Sequence, residues 1–292
     1  MNTLIYWLGR AAIAFIQALP LVFVARVGRG FGALAWLLAA RYRCLTLKNL
    51  TLAFPAEKSA AAIRAIGREC FLRLGENTLC AIKTAAMTFE ELRPHLEIGT
   101  GNILPEKTAG GPLPNIIFAI GHFGNFELYA RFQVLCPGYQ LATTYRSLKQ
   151  PAVNRLMEEV RSRGGSGCLF WERRFDGEKL RAAMNRGGII LGLLGDQYAQ
   201  GVRGPFFGRD CHTGLGPAVL ALRYECELYT AFCFRTGLAK WRLELGEKIP
   251  TIENGRPRSS ADIMRETNLS YEKAVRRDPA NWFCWMHKRW KD

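Results

Sequence analysis

The apolar run at residues 115–120 ends directly in Gly121-His122-Phe123-Gly124, and a segment able to form a helix, 123–132, follows. A short apolar run bounded by Pro114 and Gly121 reads as a buried strand. Strand, tight turn and helix in that order restrict the chain to folds in which strands and helices alternate. The alternation continues downstream. Residues 140–145 can form a strand, and 151–163 a helix with Pro151 at its start and Gly164 after it. Residues 178–186, closed by Gly187 and Gly188, read as another helix, and 189–194 as a second buried strand. Thr213 can cap a helix that reaches about Tyr224. Residues 227–235 and 241–249 read as strands, and 260–277 as a helix stopped by Pro279. Upstream, 56–86 carries Ile63, Ile66, Cys70, Leu74 and Leu79 at helical spacing, and 100–114 is a Gly- and Pro-rich loop. The expectation is an α/β layered fold around a central, mostly parallel sheet flanked by helices, plus an N-terminal membrane-associated helix.

That last element rests on charge. The first 56 residues hold no Asp or Glu, yet they hold Arg10, Arg26, Arg29, Arg41, Arg43 and Lys48. Apolar runs at 11–25 and 30–40 lie between them, the first interrupted by Pro20. A spanning helix needs about 20 apolar residues, so the first run falls short unless Arg10 or Arg26 reaches the headgroups. A cleaved signal peptide is disfavoured because apolar character resumes after Arg29 with Trp36, Leu37 and Leu38. A buried core helix has little reason to collect six cations and no anion. The segment therefore either lies in the membrane interface or crosses once. This divides the chain into a membrane-anchoring segment, 1–45, and one domain, 46–292.

The whole chain is basic, with 40 Lys+Arg against 25 Asp+Glu and a net charge of +15, which suits a polyanionic partner. Nine scattered cysteines without CxxC spacing fit reduced thiols better than a zinc ribbon or a disulfide scaffold.

The chemistry concentrates in Gly121-His122-Phe123-Gly124-Asn125-Phe126-Glu127. His122 ends a strand, at the sheet edge where open α/β folds bind ligands. In one regular helix His122 and Glu127 would lie roughly 140° apart. They can meet if His122 sits on the turn and Glu127 in the first helical turn, a bend that Gly121 and Gly124 permit. A carboxylate beside an imidazole fixes its tautomer and makes His122 a general base. With no GxSxG and no cysteine in the motif, the base is expected to activate a substrate hydroxyl directly.

The motif resembles the His-x4-(Asp/Glu) signature of glycerolipid acyltransferases. In its particular form it is similar to the late acyltransferases of lipid A biosynthesis, the lauroyl/myristoyl transferase family. The resemblance extends over nearly the whole chain. It includes Arg41-Tyr42-Arg43, Lys48-Asn49-Leu50-Thr51-Leu52-Ala53-Phe54-Pro55, Tyr145-Arg146, Gly195-Asp196-Gln197, Pro205-Phe206-Phe207-Gly208, Gly216-Pro217-Ala218 and Trp285-Met286-His287-Lys288-Arg289-Trp290. It implies a glycerolipid-acyltransferase-like fold and transfer of a fatty acyl group from a thioester of acyl carrier protein or coenzyme A to a hydroxyl of a lipid A precursor. His122 would take the hydroxyl proton and Glu127 would orient His122. Arg161, Arg163 or Arg146 would bind phosphate or the developing oxyanion, with Arg161 ahead. Asp196, at the end of the strand 189–194, would orient a substrate hydroxyl or one of these arginines; an Asx turn is its alternative. Phe206 and Phe207 line an acyl groove or pack in the core. His287 and Trp282, Trp285 and Trp290 suit a membrane interface or ordinary packing. The cosubstrate thioester is the only small-molecule requirement; no cofactor and no metal are expected, and His212 beside Cys211 lacks further ligands.

Partners implied are anionic membrane lipid and a lipid A precursor, with no nucleic acid, at the cytoplasmic face of a bacterial inner membrane. Other bacterial lipids remain alternative acceptors: a mannosylated phosphatidylinositol, an amino-acid lipid or a lysophospholipid. Outside the class stand a non-catalytic basic lipid-binding protein and a nucleic-acid binder. The latter explains the charge, but the charge sits on an apolar amino terminus and no binding motif accompanies it.

Overall fold

The computed structural model describes residues 2–99, 113–162 and 167–290. The chain begins with helices α1 (Asn2–Ala18), α2 (Leu21–Leu38), α3 (Ala40–Ala53), α4 (Ala60–Thr84) and the single turn α5 (Phe89–Leu92). Pro20 separates the first two, because it lacks the N–H that would continue α1. Ser59 opens α4 by accepting from the Ala62 N–H, and Thr88 with Glu91 forms a capping box at α5. There follow β1 (Leu96–Ile98), β2 (Ile116–Ile120), a 3-10 helix (Phe126–Leu135), β3 (Gln140–Tyr145) and α6 (Pro151–Ser162). Next come β4 (Leu169–Glu172), α7 (Gly177–Arg186), β5 (Ile189–Leu194), β6 (Tyr198–Phe206), β7 (Arg209–Thr213) and α8 (Gly216–Arg223). The last elements are β8 (Glu227–Gly237), β9 (Lys240–Ile249), the short pair β10 (Ile252–Glu253) and β11 (Arg256–Pro257), and α9 (Ser260–Arg277).

Seven strands form the central sheet in the order β1-β9-β8-β2-β5-β3-β4. Every neighbouring pair is parallel except β8 and β9, which form a hairpin. The apolar runs of β2 and β5 are central because helices cover both faces of a parallel sheet. Ile120 pairs with Leu194 and with Ala231, so the carboxyl ends of β2 and β5 lie side by side. Two polypeptide turns leave that edge together, and this juxtaposition builds the site.

The α/β expectation holds, and so do β2, β5 and α9 nearly to the residue. Three local expectations change. The segment after His122 winds as a 3-10 helix beginning at Phe126. Thr213 ends β7 and accepts from Asn268 Nδ2 at 2.7 Å instead of capping a helix; α8 starts at Gly216 with Leu215 before it. The hairpin β6–β7 was not anticipated, because its glycines and exposed polar residues mask the alternation that marks a strand. The loop expected at 100–114 falls, for residues 100–112, outside the described residues.

The terminal tryptophans are core. Trp282 and Trp285 are fully buried, edge to face at 4.7 Å, with Phe206 and Phe207 packed at a tilt beside them. Arg289 is buried too, donating to the Gln197 and His212 carbonyls and to Asn268 Oδ1. The membrane-interface reading of Trp282 and Trp285 is therefore corrected: tucked under the sheet edge, they face protein.

Candidate active site

His122 leaves β2 through Gly121. A Cβ on Gly121 would stand 2.6 Å from the Phe123 ring and 3.0 Å from Asp196 Oδ2, so only glycine fits. Gly124 has φ +51° and its Cβ would meet the Cys233 carbonyl at 2.5 Å. The two glycines let the chain reverse tightly over the carboxyl end of the sheet. The carboxy-terminal segment locks the reversal: the Phe283 N–H donates to the His122 carbonyl at 3.1 Å and the Gly124 N–H to the Asn281 carbonyl at 3.0 Å.

Asp196 stands two residues beyond β5, the neighbour of β2. Its Oδ1 lies 2.8 Å from His122 Nδ1, and its Oδ2 accepts the His122 backbone N–H at 2.7 Å. Oδ2 also accepts from Trp282 Nε1 at 2.8 Å and from the Cys284 thiol at 3.3 Å. Asp196 is wholly buried, while the His122 side chain keeps 20% of its exposure. Burial by itself would raise the Asp196 pKa, but the charge and hydrogen bonds of His122, with Trp282, hold it far below the usual carboxylate range. Asp196 is thus an anion, and His122 Nδ1 must be the donor to it. Burial would lower the His122 pKa, yet Asp196, with a smaller push from Glu127, carries it above the ordinary 6.5. The remaining acceptor of the ring is Nε2, to which Gln197 Nε2 donates at 3.4 Å.

Glu127 occupies the first turn of the 3-10 helix, as its spacing required, but its carboxylate is bonded elsewhere. Arg161, from the last turn of α6, grips it with two bonds, Nε to Oε2 at 3.0 Å and Nη2 to Oε1 at 2.5 Å. The guanidinium lies over the rings of Tyr145 and Phe170, at 5.7 and 5.6 Å. The carboxylate on His122 Nδ1 is therefore Asp196, and Glu127 is the anion of Arg161. Strand adjacency explains the exchange. β5 delivers a buried carboxylate against the ring, whereas the glycine reversal carries Glu127 forward to α6.

A cavity of about 870 Å³ opens before these groups. His122, Glu127, Arg146 and Arg161 line its polar part, and Phe118, Ile120, Phe132, Leu141, Leu193 and Leu245 its apolar part. A polar head and an apolar body in one cleft suit an amphipathic ligand. Arg146 stands exposed at the end of β3, on the cavity wall. Arg163 lies outside the described residues. Asp196, expected to orient a substrate hydroxyl or an arginine, is corrected: wholly buried behind the imidazole, it bonds His122, Trp282 and Cys284 and is not part of the cavity wall. Phe206 and Phe207 pack against Trp285, Trp282 and Phe54 in the core, the second of the two readings their position allowed.

Sequence reasoning missed Trp282 and Cys284, both on Asp196, and Gln197 beside Nε2. The Asp196-Gln197 pair at a strand end was the available signal; nothing local ties residues 282–284 to it. His122, Asp196 and Cys284 place ligand-type atoms within 4.8 Å of one another. Both Asp196 oxygens are already engaged by N–H and S–H donors, so the cluster reads as a hydrogen-bond network.

The sequence model of a family described as bacterial lipid A biosynthesis acyltransferase matches residues 1–292. No curated protein sequence matches the chain.

Proposed function

The chain belongs to the bacterial lipid A biosynthesis acyltransferase family, and from that premise we propose that it moves a fatty acyl group from an acyl carrier protein or coenzyme A thioester to a hydroxyl of a lipid A precursor, with His122 as general base. The observation that carries this reading is the His122–Asp196 contact at the mouth of an apolar cavity.

Asp196 accepts from Nδ1 and so leaves Nε2 unprotonated toward the cavity. Nε2 takes the proton of the acceptor hydroxyl as its oxygen attacks the thioester carbonyl carbon. The imidazolium that forms is stabilised by the buried Asp196 anion. As the tetrahedral intermediate collapses, the C–S bond breaks and the thiolate leaves with the proton from Nε2. No covalent enzyme intermediate is required. Arg161, fixed edge-on by Glu127, brings a cation to the polar part of the cavity, where it serves a phosphate or the oxyanion. Arg146 offers a second cation for a phosphorylated acceptor. Glu127 acts on His122 only through its charge and keeps Arg161 in place.

The basic, acid-free amino terminus supports work at the cytoplasmic face of the inner membrane, against anionic lipid. The test is mass spectrometry of lipid A from a Gram-negative host lacking its late acyltransferases. The host expresses this chain or its His122→Ala form. One added secondary acyl chain with the wild type, and none with an equally abundant variant, supports acceptor and base together. Unchanged lipid A with both forms removes this acceptor, and the whole lipid extract then shows whether another hydroxyl lipid is acylated.

A further inference from the structure

α1 and α2 each leave an apolar face exposed. A helix on the surface of a soluble domain turns its apolar stripe inward and its polar face to water. In α1 the polar groups face the protein. Tyr6 Oη and Arg10 Nη1 both donate to Glu159 of α6, at 2.7 and 2.8 Å, and Gln17 Nε2 donates to the Ile82 carbonyl at 3.1 Å. The outward face carries Leu4, Trp7, Leu8 and Phe15, each 62–66% exposed, with alanines between them.

α2 buries one apolar face and leaves a second apolar face exposed. Its buried residues Leu21, Val24, Ala25, Gly28, Gly32 and Trp36 lie on one face. Gly28 and Gly32 meet α4 at Gly75 and Phe71 so closely that an added Cβ would stand 2.5 and 2.3 Å from backbone oxygens. Arg29, mid-helix, reaches inward to Glu69 at 2.9 Å and to the fully buried Glu76 at 3.2 Å. Phe31, Leu34, Leu37 and Leu38 point out, at 48–73% exposure. Arg26, Arg41 and Lys48 are exposed around this apolar surface, with no acidic residue before Glu57.

We propose that α1 and α2 lie in the plane of one leaflet, apolar faces down among the acyl chains and cations at anionic headgroups, and that neither crosses the bilayer. The proposal rests on the membrane reading above and adds its geometry. By length and composition alone α2 could cross, and it is the one such helix among the described residues. Its partner forbids it. α2 packs along α4, whose Glu76 also binds Arg235 of β8 and the Ala239 N–H, and whose Asn77 accepts from Trp241. α4 is thus bound to the central sheet and displays Arg64 and Arg68 outward. Were α2 to span, Arg29, Glu69 and Glu76 would enter the bilayer centre together with a charged helix. Lying flat, the same pair leaves only apolar side chains in lipid, and Arg26 can extend its head to the phosphates.

Sidedness of the two ends of α2 is the test. The full-length chain carrying Cys44→Ser receives one new exposed cysteine, Ala18→Cys or Arg41→Cys. Intact spheroplasts and inverted membrane vesicles are then treated with a charged, membrane-impermeant maleimide. The expected result is complete absence of label at both positions in spheroplasts, and label at both in inverted vesicles. Label from the outer face at either position overturns the proposal and shows that α2 crosses. Recovery of the unlabelled protein in the soluble fraction would instead overturn the membrane reading itself, and fractionation detects that before any labelling.

Discussion

At the residue scale the site is a competition between burial and charge, and charge wins. His122 is raised above 6.5 although burial alone would lower it, because a fully ionised Asp196 sits 2.8 Å away. A base must be deprotonated to act, so kcat/KM is expected to rise with pH through a value above 6.5. Asp196→Asn removes the anion. The limb then moves to lower pH, and kcat falls by roughly 10²–10⁴-fold, since the tautomer and the imidazolium both lose support. Glu127→Gln separates the two carboxylates. Its charge contributes least to the His122 shift, so the limb stays near its original pH while turnover falls through the released Arg161. A limb that moved as far with Glu127→Gln as with Asp196→Asn would show that Glu127 governs the ring. Stability follows with opposite signs for the two partners. The raised His122 pKa contributes stability below about 6.5 that is lost as pH rises through the folded value. The depressed Asp196 pKa contributes stability above 3.8 that is lost as pH falls toward its folded value. Thermal unfolding of Asp196→Asn is therefore expected to depend less on pH, both below 3.8 and near the His122 transition.

At the element scale, α4 carries the amino-terminal helices. Two glycine faces bring it against α2, and a Cβ on Gly75 would stand 2.1 Å from the Gly28 carbonyl oxygen. Backbone cannot yield as a side-chain tip does. Gly75→Ala is expected to destabilise by about 1–3 kcal/mol, seen as a lowered Tm. Glu76→Gln leaves Arg29 and Arg235 without their shared buried anion and is expected to cost about 3–5 kcal/mol in denaturant unfolding. The outward faces predict the reverse behaviour. Leu8→Glu with Phe31→Glu changes two side chains that are mostly exposed, so Tm in detergent is expected to hold while recovery with membranes drops.

At the scale of the whole molecule, a net charge of +15 and an apolar two-helix surface would act on an anionic membrane, the partner we propose, through different forces. Binding to vesicles containing anionic phospholipid is expected to weaken sharply between low salt and 1 M salt, where the screening length falls to about 3 Å. Residual binding at high salt, equal on neutral vesicles, measures the apolar share. Equal binding at all salt concentrations would remove charge from the account.

What could be read along the chain is what depends on neighbours in sequence. Hydrophobic runs bounded by glycine and proline located β2 and β5, 3.6-residue spacing located α4, Pro279 marked the end of α9, and the glycines around His122 announced a strand-end reversal. The acid-free amino terminus announced a basic surface beside apolar helices. Pairings across the fold were not legible, because no local pattern says which strands become neighbours. Asp196 meets His122 across 74 residues only because β5 lies beside β2. Trp282 and Cys284 reach Asp196 only because the chain after α9 passes beneath that edge. The orientation of α1 and α2 was equally hidden, since apolar residues surround both helices and their partners Glu159, Glu69 and Glu76 lie far along the chain. Sequence by itself determined the α/β class and the imidazole at the strand end that we propose as the base. Tertiary structure decided which carboxylate holds that imidazole and which faces of α1 and α2 stay apolar and exposed, because both depend on contacts between segments that the chain alone keeps apart.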